Sequence, residues 1–104
     1  MRNDDFEIKK EVVDESVKFI LKGRLDAINS SARLYQLEDA LGTGNKNMIL
    51  NMTLVEYISS AGIRAILKTY KQAEDAGGKL RIERPSENVK NVLGMTALDQ
   101  MLVQ

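Results

Sequence analysis

The chain predicts an α/β fold, a mixed sheet with helices alternating along it, and two patterns carry that expectation. The first is a pair of strand-like runs near the start, Phe6 to Val13 and Ser16 to Leu21, separated only by the polar pair Asp14-Glu15. Two such runs on so short a link read as an antiparallel hairpin. The second is the remainder of the chain, where leucines and isoleucines at helical spacing alternate with short apolar strand segments. That succession of hairpin, helix, strand, helix, strand, helix describes an α/β sandwich with four to five strands and about four helices.

Each element has its own grounds. Phe6 and Ile8, followed by Lys10 and Val12, alternate as a half-exposed strand does. Val17, Phe19 and Leu21 share one face of the second run, with Lys18 opposite, and Gly23-Arg24-Leu25-Asp26 ends it. Asn29, Ser30 and Ser31 offer caps for a helix from Ala32 to Leu41, with Leu34, Leu37 and Leu41 on one side. Gly42-Thr43-Gly44-Asn45 stops it. Lys46 to Met52 contains Met48-Ile49-Leu50 without polar alternation, as expected of a central strand. Thr53 to Glu56 reads as a loop leading to Tyr57, which is expected to pack at the next corner.

From Ser60 a second helix follows, with Ile63, Ile66, Leu67 and Tyr70 inward. Lys68, Thr69, Lys71 and Gln72 are assigned to its wet side, and Gly77-Gly78 closes it. Leu80 and Ile82 mark a short strand. Pro85-Ser86 opens a last helix with Val89, Val92 and Leu93 as its stripe, and the tail through Leu98, Met101, Leu102 and Val103 packs a short final one. The methionines, among them Met48, Met52, Met95 and Met101, read as core filler.

Composition bounds the chemistry. A length of 104 residues suits one domain, taken as 1–104. Fifteen basic and fifteen acidic side chains cancel, so no net field draws the chain to nucleic acid or an anionic membrane. With no cysteine and no histidine, disulfides, thiolate or imidazole metal sites and a Ser-His-Asp relay are excluded. No metal or other cofactor is expected. The polar start shows no signal peptide, and no apolar run nears the roughly 20 residues that span a bilayer, so a cytoplasmic protein is expected.

The segment Tyr57-Ile58-Ser59-Ser60-Ala61-Gly62-Ile63-Arg64 concentrates the functional signal. It runs from a strand into an amphipathic helix and sets two hydroxyls at the junction. A helix start presents unpaired N–H groups and the positive end of the macrodipole, which favour negative charge. One serine there serves as N-cap on general grounds. A phosphate on the other is tolerated by the helix and legible to a partner.

Three pieces together resemble the STAS domain family, and within it the small stand-alone anti-sigma factor antagonists of bacteria. Gly23-Arg24-Leu25-Asp26 is similar to that family's Gly-x-Leu-Asp turn. Met48 to Met52 sits where the family has an apolar strand, with Asn51 in place of its usual Asp. Ser59-Ser60-Ala61-Gly62-Ile63 resembles its loop-to-helix motif, with Ser59 where many members carry Asp. The resemblance implies a STAS-like sandwich in which Ser60, two residues before the motif glycine, accepts a phosphate.

It further implies partner switching. The unphosphorylated form binds an anti-sigma factor that is also a serine kinase of the Bergerat-type ATPase class, releasing that kinase's client. Phosphorylation of Ser60 ends the binding and a PP2C-type phosphatase restores it. Asp26, Ser59, Ser60, Ala61, Gly62 and Arg64 are the expected contact residues. Asp26 reads equally as an acceptor in its own turn, whereas Arg64 reads more readily as a merely solvated cation. The alternative within the family is an interaction subunit of a transporter or signalling assembly that is not phosphorylated.

Other classes lack their parts. A serine nucleophile on an elbow needs Gly-x-Ser-x-Gly and a base, whereas the segment reads Ile58-Ser59-Ser60-Ala61-Gly62 with no histidine in the chain. No Gly-rich phosphate loop is present for a nucleotide, and no basic stripe interleaved with aromatics for nucleic acid. The expected protein is a switchable binding module and not an enzyme.

Overall fold

The computed structural model describes residues 6–14, 16–26, 34–42, 44 and 47–95. Four strands form one sheet in the order β1-β2-β3-β4: Phe6–Val13, Ser16–Leu25, Asn47–Ile58 and Lys79–Glu83. β1 is antiparallel to β2, while β2, β3 and β4 run parallel. Helix α1 (Tyr35–Gly42) joins β2 to β3, α2 (Ser60–Asp75) joins β3 to β4, and α3 (Glu87–Met95) follows β4. The expected mixed sheet with an N-terminal antiparallel hairpin is what the structure has. The proposed caps at Asn29, Ser30 and Ser31, the start of α1 at Ala32 and the C-terminal tail lie outside the described residues.

The hairpin closes beyond Val13, which faces Ser16 across the two strands. Asp14 takes φ 55°, the left-handed conformation that a tight two-residue hairpin demands and that Asp accepts at small cost. β1 is anchored at its start, where Phe6 is buried, and its apolar face fades toward the turn, where Val12 is 71% exposed.

One apolar cluster joins every element. Phe19, Leu21 and Leu25 of β2, Met48, Leu50 and Met52 of β3 and Ile82 of β4 meet Leu37 of α1, Ile66 of α2 and Leu93 of α3. Each such side chain contributes about 1.5–3 kcal/mol by leaving water. The two described methionines of that cluster, Met48 and Met52, are the core filler their pattern suggested. Helix α2 runs through Thr69, whose side chain is buried and not on the wet side. Only 2% of it is accessible, and its Oγ1 donates to the Ala65 carbonyl at 3.1 Å, so the hydroxyl is satisfied within its own helix.

The largest departure from expectation is the length of β3. Thr53 to Glu56 is strand, and β3 continues to Ile58. Two register shifts against β2, between Ile20 and Lys22 and between Gly23 and Arg24, feed extra residues into β3. Gly23 takes φ 105° at this irregularity, a conformation that only glycine adopts freely. Inward residues therefore fall at Met52, Val55 and Ile58, three apart. Among the described residues, no strand lies beside the second edge of β3 beyond Asn51, because β4 ends at Glu83. The segment after β4 covers that edge instead. Ser86 N–H donates to the Met52 carbonyl at 3.0 Å, Thr53 Oγ1 to the Arg84 carbonyl at 3.1 Å, and Asn88 Nδ2 to the Glu56 carbonyl at 2.6 Å.

Candidate functional site

The parallel strands β2 and β3 end side by side, with Leu25 opposite Ile58 as the last matched pair. The chain then turns into α2, and one hydrogen bond ties the corner: Ser59 N–H donates to the Leu25 carbonyl at 3.0 Å. Asp26, the next residue after Leu25, is thereby held at the same end of the sheet as the serines, half-buried and engaged with its surroundings.

The two serines have different work. Ser59 is the N-cap of α2, with extended backbone (φ −92°, ψ 172°), and its Oγ accepts the Gly62 N–H at 3.1 Å. Its carbonyl accepts the Ile63 N–H at 3.0 Å. One orphan donor of the first turn, the Gly62 N–H, is thus met by Ser59. Ser60 follows as the first helical residue and is exposed. Its hydroxyl stands in solvent beside the helix start, where added negative charge meets the favourable end of the dipole.

Gly62 explains the tightness of the motif. A Cβ there would lie 2.9 Å from Ile58 Cγ1, 3.0 Å from the Leu25 carbonyl oxygen and 3.3 Å from Leu25 Cγ. The absence of a side chain lets the first turn of α2 rest directly on the end of β2. Ala61 is half-buried beside it, and Arg64 is exposed one turn farther on.

Tyr57 does not pack into the corner. It is 40% exposed, and its ring lies beneath the Arg24 guanidinium, whose Cζ is 4.5 Å from the ring centroid. Arg24 and Tyr57 are register partners across β2 and β3, which places this pair on the outer face of the sheet just before the serines. Sequence reasoning missed Arg24 as a neighbour of the site, because only the shifted register brings it opposite Tyr57. Leu54, half exposed, extends the same outward side of β3.

Among the described residues, no group of three His, Cys, Asp or Glu side chains could hold a metal, and no helix is long and apolar enough to cross a membrane. The site consists of one capping hydroxyl, one solvent-facing hydroxyl and a close-packed glycine at a strand-to-helix junction.

The fold has relatives among solved structures. TM1081 from Thermotoga maritima, provisionally described as an anti-sigma factor antagonist, superposes with a TM-score of 0.80 at 26% identity, over 92% of this chain and 83% of that one. An anti-sigma factor antagonist from Mycobacterium paratuberculosis gives 0.83 at 16% identity, over 98% and 87%. The anti-sigma factor antagonist SpoIIAA gives 0.80 at 20% identity in its unphosphorylated form, over 93% and 86%. The Bacillus cell fate determinant SpoIIAA in its phosphorylated form gives 0.72 at 21% identity, over 94% and 88%. The sequence model of the STAS domain matches residues 7–103, so the chain belongs to the STAS domain family.

Proposed function

We propose that this protein is an anti-sigma factor antagonist that works in the cytoplasm by partner switching, with Ser60 as the switch. The reading is supported by family membership, by the names of the solved relatives and, most directly, by the division of labour between the serines. Because Ser59 caps the helix, Ser60 can be modified without unmaking the fold.

In the proposed cycle the unphosphorylated protein binds an anti-sigma factor that is also a Bergerat-type serine kinase, and so frees the client. Ser60 Oγ attacks the γ-phosphorus of the kinase's ATP. The new O–P bond forms as the bond to ADP breaks, and the hydroxyl proton passes to a base of the kinase. A PP2C-type phosphatase later hydrolyses the ester to serine and inorganic phosphate. All catalysis belongs to the partners. Asp26, Ser59, Ala61, Gly62 and Arg64 are assigned with it to the surface that the partner contacts.

Magnitudes make one phosphate sufficient. It adds about −1.5 to −2 charges. The helix start offsets part of that, by about 0.3–1 kcal/mol per charge, so the domain itself is little disturbed. A partner surface closed over the hydroxyl meets a desolvated dianion, at a cost of several kcal/mol. Every 1.4 kcal/mol is about tenfold in affinity, so binding ends without rearrangement of the fold.

Intact-mass measurement of the protein from its native host, with and without phosphatase treatment, tests the reading. A single phosphate that maps to Ser60 and disappears in Ser60→Ala is expected. A protein unmodified under every growth condition would sink the switch and leave the family's non-phosphorylated interaction subunits as the better comparison. Ser60→Asp is expected to bind the cognate kinase at least about tenfold more weakly.

A further inference from the structure

The charges of α2 run against its own dipole. Its first three-quarters present Arg64, Lys68 and Lys71, all exposed, and its end presents Glu74 and Asp75. No acid stands in the first turn and no base in the last. A helix charged for its own stability carries the opposite arrangement, acids first and bases last. The helix's own dipole does not account for this pattern.

The cations also share a face with the switch. Ser60, Arg64 and Lys68 are spaced by four and Lys71 follows Lys68 by three, so the four form one stripe starting at the hydroxyl. Beside it a shallow groove of about 110 Å³ separates α2 from α1, lined by Leu34, Tyr35, Glu38, Ala65, Lys68 and Thr69. Tyr35 stands 61% exposed at its rim. Among the described residues the carboxylate that meets the stripe is Glu38, 3.5 Å from Lys68 with both side chains largely in water. Such a surface pair is weak and exchanges readily.

We infer that this stripe and groove form a docking surface for an acidic protein partner, which sets carboxylates against Arg64, Lys68 and Lys71 and an apolar side chain beside Tyr35. Tyrosine and arginine are the side chains that interfaces use as anchors. A nucleic acid fits less well, since three cations on a chain of zero net charge release too few counterions to hold a duplex. On the reading that Ser60 is phosphorylated, a phosphate one turn before Arg64 competes with the partner's carboxylates for that guanidinium and repels the rest of the acidic surface.

NMR titration of the full chain tests this with three probes: an amphipathic helical peptide with a glutamate polar face, the same peptide with lysines, and a short DNA duplex. The glutamate peptide is expected to shift amides of α2 from Ser60 to Gln72 and of α1 at Tyr35 to Glu38, with an affinity that falls with salt. Arg64→Glu and Lys68→Glu are each expected to weaken it about tenfold. Arg64→Glu also improves the match to the dipole, so its melting temperature stays equal or rises, which separates lost binding from lost folding. Equal response to both peptides, shifts elsewhere, or tighter binding of DNA overturns the docking surface. The unmodified chain and a chain carrying phosphoserine at position 60 are then compared. A tenfold or greater loss of the glutamate peptide on phosphorylation supports the competition. Undiminished binding overturns the competition and leaves the surface. If neither form binds the peptide while phosphorylation still ejects a cognate kinase, the surface is wrong and the switch stands.

Discussion

Gly62 touches Leu25 where no side chain could stand between them: a Cβ on Gly62 would sit 3.0 Å from the Leu25 carbonyl oxygen and 3.3 Å from its Cγ. The same carbonyl accepts the Ser59 N–H at 3.0 Å. One backbone oxygen at the end of β2 thus sets both the cap and the first turn of α2, and the position of Ser60 follows from it. The hydroxyl proposed as the switch is thus mounted on a close-packed corner and not on a loop.

Replacement of Gly62 by alanine is expected to destabilise the fold by about 1–3 kcal/mol, since overpacking against backbone and the buried Ile58 has few ways to relax. Alanine's helix preference returns up to about 1 kcal/mol, so the lower part of that range applies to a corner that shifts slightly. A urea midpoint equal to or above that of the parent chain would show that β2 and α2 slide apart freely.

The serines are separable by stability alone. Ser59→Ala removes the cap and is expected to cost about 0.5–2 kcal/mol, while Ser59→Asp retains it. Ser60→Ala is expected to stay within about 0.5 kcal/mol of the parent, as other exposed substitutions do. Chemical denaturation of the three variants decides it. Equal losses at both positions would mean that Ser60 also holds the helix start, and the freedom claimed for its hydroxyl would be gone.

Most of this architecture is legible in the chain because local and tertiary signals agree. The β1–β2 hairpin shows in its alternation and its Asp14-Glu15 link, and α2 shows in its stripe and its Gly77-Gly78 stop. The far half of β3 is not legible, for a definite reason. The two register shifts change its inward spacing from two to three, so Met52, Val55 and Ile58 match neither strand nor helix periodicity. The Arg24–Tyr57 pair is hidden for the same reason, since its partners are set by the shifted register. Thr69 misled because its type suggests solvent, while its place on α2 faces inward and its hydroxyl bonds to Ala65. Ser59 and Ser60 were both visible, but which one caps depends on where the helix begins.

The outer face of the sheet offers a test by pH. Glu83 Oε2 lies 3.0 Å from Lys18 Nζ and accepts Asn51 Nδ2 at 3.3 Å, with Lys18 and Glu83 each 26% exposed. The Lys18 hydrogen bond holds the Glu83 carboxyl below its ordinary value of 4.5, against an opposing effect of burial. The charges of Lys18 and Arg84 and the Asn51 hydrogen bond add to the lowering. A carboxyl depressed in the folded state stabilises the fold above the unfolded value, and that stability is lost as pH falls through the folded value. Glu83→Gln is therefore expected to be less stable than the parent at neutral pH, by no more than about 1 kcal/mol for a partly exposed pair. The gap should close as the solution is acidified below the ordinary carboxylate range, because the protonated parent then resembles the amide. Unfolding free energies of the two proteins across that range check it. A gap constant with pH would assign the loss to packing, and one that widens toward acid would reverse the sign of the Lys18–Glu83 coupling.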